Sequence, residues 1–235
     1  MPDYTIIEHY VDKAIALARK HHEYLMYIDR YYIQMYGDEV QPEMYIGSNP
    51  EEYKLKPKLM KLVQPDTSGL IVTKITDEYK EWKPVPANVV QKDIKELESY
   101  YSIKLPDSYK WYLGYMHFYQ IFWNIDIKLY PSPINVWQSV LKKKNDEKRQ
   151  FILDKGLFSI GEYSDHADIC FDLLDEDCEN GDYRIVYVDH ESADEPELLA
   201  SNFQSLLSDI LTKPEPELKE LNASEQRLFG DILKA

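Results

Sequence analysis

Cysteine is scarce in this chain: Cys170 and Cys178 are the only two among 235 residues. That is too few for a disulfide framework. No stretch approaches the roughly 18 consecutive apolar residues of a membrane-spanning helix. The opening Met1-Pro2-Asp3-Tyr4 lacks the basic segment and apolar run of a secretory signal. Basic residues are also in deficit, 27 against 42 acidic, for a net charge of −15. A phosphate-binding surface needs a basic footprint, so this balance excludes nucleic acid or an anionic membrane as the main partner. No glycine-rich phosphate loop, G-x-S-x-G elbow or H-E-x-x-H pair is present. The expectation is a soluble, cytoplasmic protein that is not an enzyme and carries no cofactor. Hydrophobic residues make up 44% of the chain, enough for a sizeable core.

The charge is not spread evenly. Residues 162–197 hold 14 acids and a single base, Arg184, a balance of −13. Residues 85–161 instead carry a small basic excess of +3. A run of charge can be no more than a solvated face that keeps a protein soluble. Here the acids are interleaved with Ile169, Phe171, Ile185, Val186 and Val188, so the segment folds and can hold carboxylates on fixed scaffolding. Such a surface suits a basic partner, where complementary potential raises the association rate and enforces specificity.

Glycine and proline divide the chain. None occurs from residue 4 to 36, where Ile7, Val11, Ala14, Ala18, Leu25, Ile28, Tyr32 and Met35 form an apolar stripe. The stripe predicts a helix, with its one irregularity at His21-His22. Residues 37–69 are punctuated by Pro42, Gly47, Pro50, Pro57, Pro65 and Gly69 and read as irregular, and the β-branched run 69–75 reads as a strand. Pro84 and Pro86 mark the main boundary. We therefore expect a helical extension with an irregular linker and one strand over 1–84, a main domain over 85–212, and a C-terminal segment with a short helix over 213–235.

In the main domain, Asn88 with Gln91 forms a candidate capping box for a helix striped by Val90, Ile94, Leu97 and Tyr101. Pro106 suits the first turn of a second helix through Trp111 and Leu113. Alternation of Ile121, Trp123, Ile125, Ile127 and Leu129 with polar neighbours predicts a half-buried strand. Ile134, Trp137, Val140 and Leu141 suit a helix running into Lys142-Lys143-Lys144, a solvated face. Strand-like runs follow at 157–161, 168–174 and 183–189, the last two separated by the turn residues 178–182. Ser201 with Gln204 is a second capping box, opening a helix through Phe203, Leu206, Leu207 and Ile210. Two helices, a run of strands and a closing helix make an α+β module with a central, mostly antiparallel sheet.

Candidate chemistry is thin. His166, Cys170, Cys178 and His190 have the spacing H-x3-C-x7-C-x11-H, which matches no common zinc pattern. Asp165, His166, Asp168, Asp172, Asp189 and His190 are dense enough to hold a divalent cation or do acid–base work. They equally suit turn capping and hydrogen bonding at strand ends. The chain has 20 tyrosines, seven of them within the first 36 residues: Tyr4, Tyr10, Tyr24, Tyr27, Tyr31, Tyr32 and Tyr36. A tyrosine-rich helix suits either an interface or packing onto the main domain.

Four ordered motifs carry a family resemblance. Ile94-x-x-Leu97-Glu98 followed by Leu105-Pro106-x-x-Tyr109 resembles the opening of the SUKH superfamily, whose members include bacterial immunity proteins and fungal cell-wall-synthesis regulators. Phe158-Ser-Ile160-Gly161 is similar to its first central strand and Asp168-Ile-Cys-Phe171-Asp172 to the next. Ile185-Val-Tyr-Val-Asp189-His190-Glu191 and Leu199-Ala-Ser-Asn-Phe203-x-x-Leu206-Leu207 resemble its last strand and closing helix. The loop Gly114-Tyr-Met-His-Phe departs from the family's usual glycine-rich turn, and residues 1–84 lie outside the resemblance. The resemblance implies helices packed on a central sheet, no catalytic residues, and a binding role. In bacteria that role is neutralisation of a polymorphic toxin, often a nuclease or deaminase, by direct contact.

The resulting expectation is an immunity protein that meets a basic toxin domain through an acidic surface. Its contact pool is Glu162, Asp165, Asp168, Asp175, Glu176, Asp177, Glu179, Asp189 and Glu191, with local aromatics as anchors. A scaffold or regulatory module using the tyrosine-rich first helix is the alternative.

Overall fold

The computed structural model describes residues 3–20, 84–118, 121, 123, 127–164, 166–175, 182–189 and 195–215. Met1–Leu17 and Pro84–Pro216 make one compact unit, and Ala18–Lys83 with Glu217–Ala235 make the other. Nearly all of the second unit lies outside the described residues. That includes the His21-His22 pair, the tyrosines from Tyr24 to Tyr36, the expected strand at 69–75 and the expected C-terminal helix.

The first unit is mixed α+β. Its helices are α1 (Thr5–Lys20), α2 (Gln91–Tyr101), α3 (Asp107–Tyr115), α4 (Trp137–Glu147) and α5 (Phe203–Thr212). Strands β3 (Ile127–Leu129), β4 (Leu157–Tyr163), β5 (Ala167–Asp172), β6 (Ile185–Asp189) and β7 (Glu197–Ala200) form one sheet in that spatial order. Every neighbouring pair in it is antiparallel. A two-residue ladder joins β1 (Val85–Pro86) to β2 (Met116–His117).

The pleat sorts β5 into two faces, with Ala167, Ile169 and Phe171 on one and Asp168, Cys170 and Asp172 on the other. All six residues are buried. Phe171 meets the rings of Tyr109 on α3 and Phe203 on α5, and Tyr112 packs on both Phe203 and Phe118. This aromatic cluster is the core on the helical side, and edge-to-face geometry dominates it. Helix α1 presents Ile7, Tyr10, Val11 and Ala14 at helical spacing, all with no exposed surface. Its outer side is tied on by a Tyr4–Trp111 ring stack at 5.1 Å and by the Tyr115 hydroxyl donating to both Asp12 oxygens at 3.1 Å. On the other face of the sheet Cys170 clusters with Ile152, Leu157, Val186 and Val188.

A break in the ladder is repaired by a side chain. Pairing between β3 and β4 stops at Leu129 and Gly161, next to a bulge. There the buried Asn145 of α4 bonds to the β4 backbone as a strand residue would. Its amide nitrogen donates to the Ser159 carbonyl at 2.9 Å, and the Ser159 N–H donates to its oxygen at 2.8 Å. Gly161 is required at this point, because a Cβ there would sit 2.6 Å from the Lys128 carbonyl oxygen.

Several elements differ from their sequence expectations for local reasons. Among the described residues of the strand expected from Ile121 to Leu129, Ile127–Leu129 are in strand and Trp123 sits in a bend. Asn88 does not cap α2. The Val90 N–H is instead accepted by Asp93 at 3.1 Å, while Asn88 turns to His117. Helix α5 is capped by Asn202, which accepts from the Ser205 N–H at 2.8 Å, and Gln204 reaches the Asp3 carbonyl at 2.7 Å. Strand β7 occupies residues the sequence assigned to the approach of that helix.

Candidate protein-interaction surface

The meander divides the acidic segment between two ends of the sheet. Tyr163, Ala167 and Asp189 are in register at one end, and Leu157 with Asp172 and Phe171 with Ile185 lie toward the other. Strands of five to seven residues separate the ends by roughly 17 Å at 3.3–3.4 Å per residue. Asp175 and Asp182 flank the segment 176–181 at the second end, and Asp189 and Glu195 flank the segment 190–194 at the first. Asp175 and Asp189, two described members of the nine-residue pool, thus lie toward opposite ends of the sheet. Asp165, Glu176, Asp177, Glu179 and Glu191 lie outside the described residues.

Three carboxylates are held by bases, two of them buried. Asp168 has 0% exposure. Both its oxygens accept from the Lys148 ammonium at 2.9 Å, and Oδ1 also accepts from the Tyr130 hydroxyl at 2.9 Å and Ser159 Oγ at 3.0 Å. Burial and the nearby Asp168 charge push the Tyr130 phenol well above its ordinary value, and the same two causes raise the Cys170 thiol. Asp172, also buried, accepts at one oxygen from Arg184 Nε at 2.8 Å and a terminal guanidinium nitrogen at 2.6 Å. Glu162 pairs with Lys144 at 2.7 Å. The lysines expected to form a solvated face are thus partly spent: Lys144 is on Glu162, and Lys142 lies 4.6 Å from the Tyr100 ring centre. Asp168 is no surface contact, because alternation on a fully covered strand turns it inward.

Other acids are half-buried or exposed. Asp175 accepts from the Arg184 N–H at 3.0 Å, and Asp182 accepts from Ser108 at 3.1 Å with its carboxyl raised chiefly by burial. Asp189 is half-buried, and Glu195 and Glu197 are exposed. Beside them stand two rings that the sequence reading did not single out. Tyr163 of β4 and Tyr187 of β6 stack with centroids 5.1 Å apart and planes at 22°. The Tyr187 hydroxyl hydrogen-bonds the Glu197 carboxylate, which raises the phenol above its ordinary value. The available signal was period-two alternation around the small Ala167, and it becomes informative only once the strand register is known.

Of the cation-site constellation, Asp165 and His190 lie outside the described residues, and the described members do not converge. Asp168 and Asp172 are four residues apart on β5 and already neutralised by different bases. Among the described residues no group of three or more His, Cys, Asp or Glu side chains converges as a metal site. In the zinc set, Cys170 is a buried core residue, His166 is exposed, and Cys178 and His190 lie outside the described residues. The described tyrosines of the N-terminal segment are used in packing, Tyr10 of α1 in the core and Tyr4, just before it, on Trp111. Among the described residues no helix is long and apolar enough to cross a membrane.

Residues 88–209 match the family model described as the SMI1 / KNR4 family (SUKH-1). No curated protein matches the chain.

Proposed function

The chain belongs to the SMI1 / KNR4 family (SUKH-1), and from that premise we propose that it is a non-catalytic immunity protein. It neutralises a cognate toxin of nuclease or deaminase type by direct contact through acidic surface. Membership supports a toxin-immunity or regulator role in general; charge makes the choice between them. The observation that carries the reading is the balance of 14 acids to one base in residues 162–197, a segment that supplies the whole of β5 and β6. A toxin that acts on nucleic acid must be basic where it holds phosphate. An acidic, folded surface can occupy that face and exclude the substrate.

The contact pool we favour is narrower than the full run of acids. Asp168 leaves it, since its acceptors face Lys148, Tyr130 and Ser159. Asp175 and Asp189 remain from the described members, with Glu162 as a half-buried carboxylate already paired to Lys144. Truncating a carboxylate that becomes desolvated in the complex costs about 2–5 kcal/mol, whereas a rim carboxylate acts mainly on the association rate.

The test is charge reversal in the full-length protein at Asp165, Asp175, Glu176 and Asp177. The readouts are binding of the protein recovered with the wild type and protection of cells that express it. Loss of both with an unchanged melting temperature is expected. Unchanged binding and protection would sink the proposal.

A further inference from the structure

We propose that the stacked pair Tyr163–Tyr187, together with Glu197 and Asp189, is the anchor point of the partner surface and receives an arginine side chain of the bound protein. The inference rests on the reading of the protein as a binder of a basic partner, and it names where and how that partner is held.

Strands β4 and β6 are not neighbours, because β5 lies between them and separates them by about 9.6 Å. Their tyrosine rings nonetheless approach to 5.1 Å between centroids. The residue of β5 in register with Tyr163 is Ala167, whose single methyl leaves room for the rings to lean together above it. The other aromatic side chains on this face, Phe158 and Phe171, have no exposed surface and pack on helices. Tyr163 and Tyr187 are half-exposed, so the stack offers ring surface to a partner as well as packing against itself. Tyrosine is among the residues enriched where binding energy concentrates, since a rigid ring adds contact area at little entropic cost.

The flanking charge selects the ligand. Glu197 is directly opposite Tyr187 in register, and the phenol donates a hydrogen bond to its carboxylate. That bond holds the carboxylate beside the ring while leaving it further acceptor sites. Asp189 is two residues along β6 on the same face of the pleat. The one base of the acidic segment, Arg184, is bonded to Asp172 near the opposite end of the sheet. A flat cation that stacks on an aromatic face and forks onto a carboxylate fits this arrangement. A guanidinium does both, whereas an ammonium is a point charge with a tightly held water shell.

The experiment uses the full-length protein with ring-labelled tyrosine, followed by NMR. Tyr163→Phe and Tyr187→Phe assign the two signals. The probe is an acetylated, amidated Gly-Arg repeat peptide, with its lysine and citrulline counterparts, at about 20 mM and about 150 mM salt to vary screening. The arginine peptide is expected to shift both rings, the lysine peptide to bind more weakly and the citrulline peptide not to bind. Glu197→Gln should weaken the arginine peptide about tenfold, the scale of one lost charge-assisted bond. Tyr187→Phe keeps the ring but loses the grip on Glu197, and should weaken it less. Binding that is indifferent to Glu197→Gln but falls with Asp175→Lys would overturn the anchor and leave the acidic-surface reading intact. Failure of every cationic peptide to bind at low salt would remove that reading and the anchor together.

Discussion

Asp168 and Asp189 stand on adjacent strands, with Asp168 opposite Val188 and Asp189 opposite Ala167. Both were members of the same run of acids, yet they do different work. Asp168 is sealed from solvent and holds Lys148, Tyr130 and Ser159. Asp189 lies at the half-exposed end of the sheet, on the side of the tyrosine stack. One carboxylate ties α4 and the β3–α4 segment to the sheet; the other keeps part of its surface in solvent. Charge counted along a chain is therefore not charge offered at a surface, and period-two alternation together with which face is covered decides the difference.

The contrast breaks most sharply at Asp168. Replacing it with Ala takes the buried carboxylate from Lys148 and one acceptor from the Tyr130 and Ser159 hydroxyls, which keep each other and the Gly161 carbonyl, a loss expected near 3–5 kcal/mol for half of a buried pair. Denaturant unfolding should show it as a lower midpoint at unchanged slope. The same substitution at the half-buried Asp189 should lower the midpoint less. Equal effects at the two sites would erase the distinction.

Asn145→Ala comes next. It leaves the Ser159 N–H and carbonyl of β4 without their side-chain partner in a buried place, costing about 1–3 kcal/mol. Hydrogen exchange should rise first at Ser159 and along the β3–β4 pair.

A pH signature belongs to the buried class as well. His117 has no exposed surface; its Nδ1 lies 2.9 Å from the Ser132 carbonyl oxygen, and its Nε2 lies 2.7 Å from Asn88 Oδ1 and 3.2 Å from the Asn88 backbone nitrogen. Burial holds its folded value below the ordinary 6.5. The unfolded chain therefore binds the proton first as the medium acidifies. The stability this histidine contributes is present above about pH 6.5 and is lost as pH falls through that value toward the lower folded one. Melting curves at pH 7.5 and 5.5 should diverge more for the wild type than for His117→Gln. An equal divergence would remove the assignment.

The smallest effect on folding is expected at the exposed rim. Glu195→Lys and Glu197→Lys should move stability by no more than about 0.5 kcal/mol. They should slow association with a basic partner and weaken its dependence on salt. Sheet and surface thus separate by assay: unfolding reads Asp168 and Asn145, and association rate reads Glu195 and Glu197.

Much of the fold was legible in the sequence because it rests on local periodicity. The strands over 157–163, 167–172 and 185–189 and the helices at 91–101 and 203–212 follow from apolar spacing, and the ordered motifs from Ile94 to Leu207 tied them to one family. The cap of α2 went to Asp93 because Asn88 is drawn to His117, 29 positions away in sequence, and no local rule sees that far. The inward turn of Asp168 depends on α4 supplying Lys148 and Asn145 across the sheet. The stack of Tyr163 on Tyr187 depends on the register of three strands around Ala167. Such features arise from pairing at a distance, so a chain read one window at a time gives their residues but not their company.

The most direct measurement is a paired affinity capture from cells that make this protein. The baits are the wild-type chain and a full-length variant with Asp175, Asp189, Glu195 and Glu197 all changed to Lys, washed at about 0.1 M and then about 0.5 M salt, where the screening length falls from about 10 Å to under 5 Å. One basic protein is expected at near-equal amount on the wild-type bait. It should be depleted by the stronger wash and missing from the variant, whose melting temperature matches the wild type. Equal recovery of that protein on both baits, resistant to salt, would contradict the claim that the exposed acids are where this molecule meets its partner.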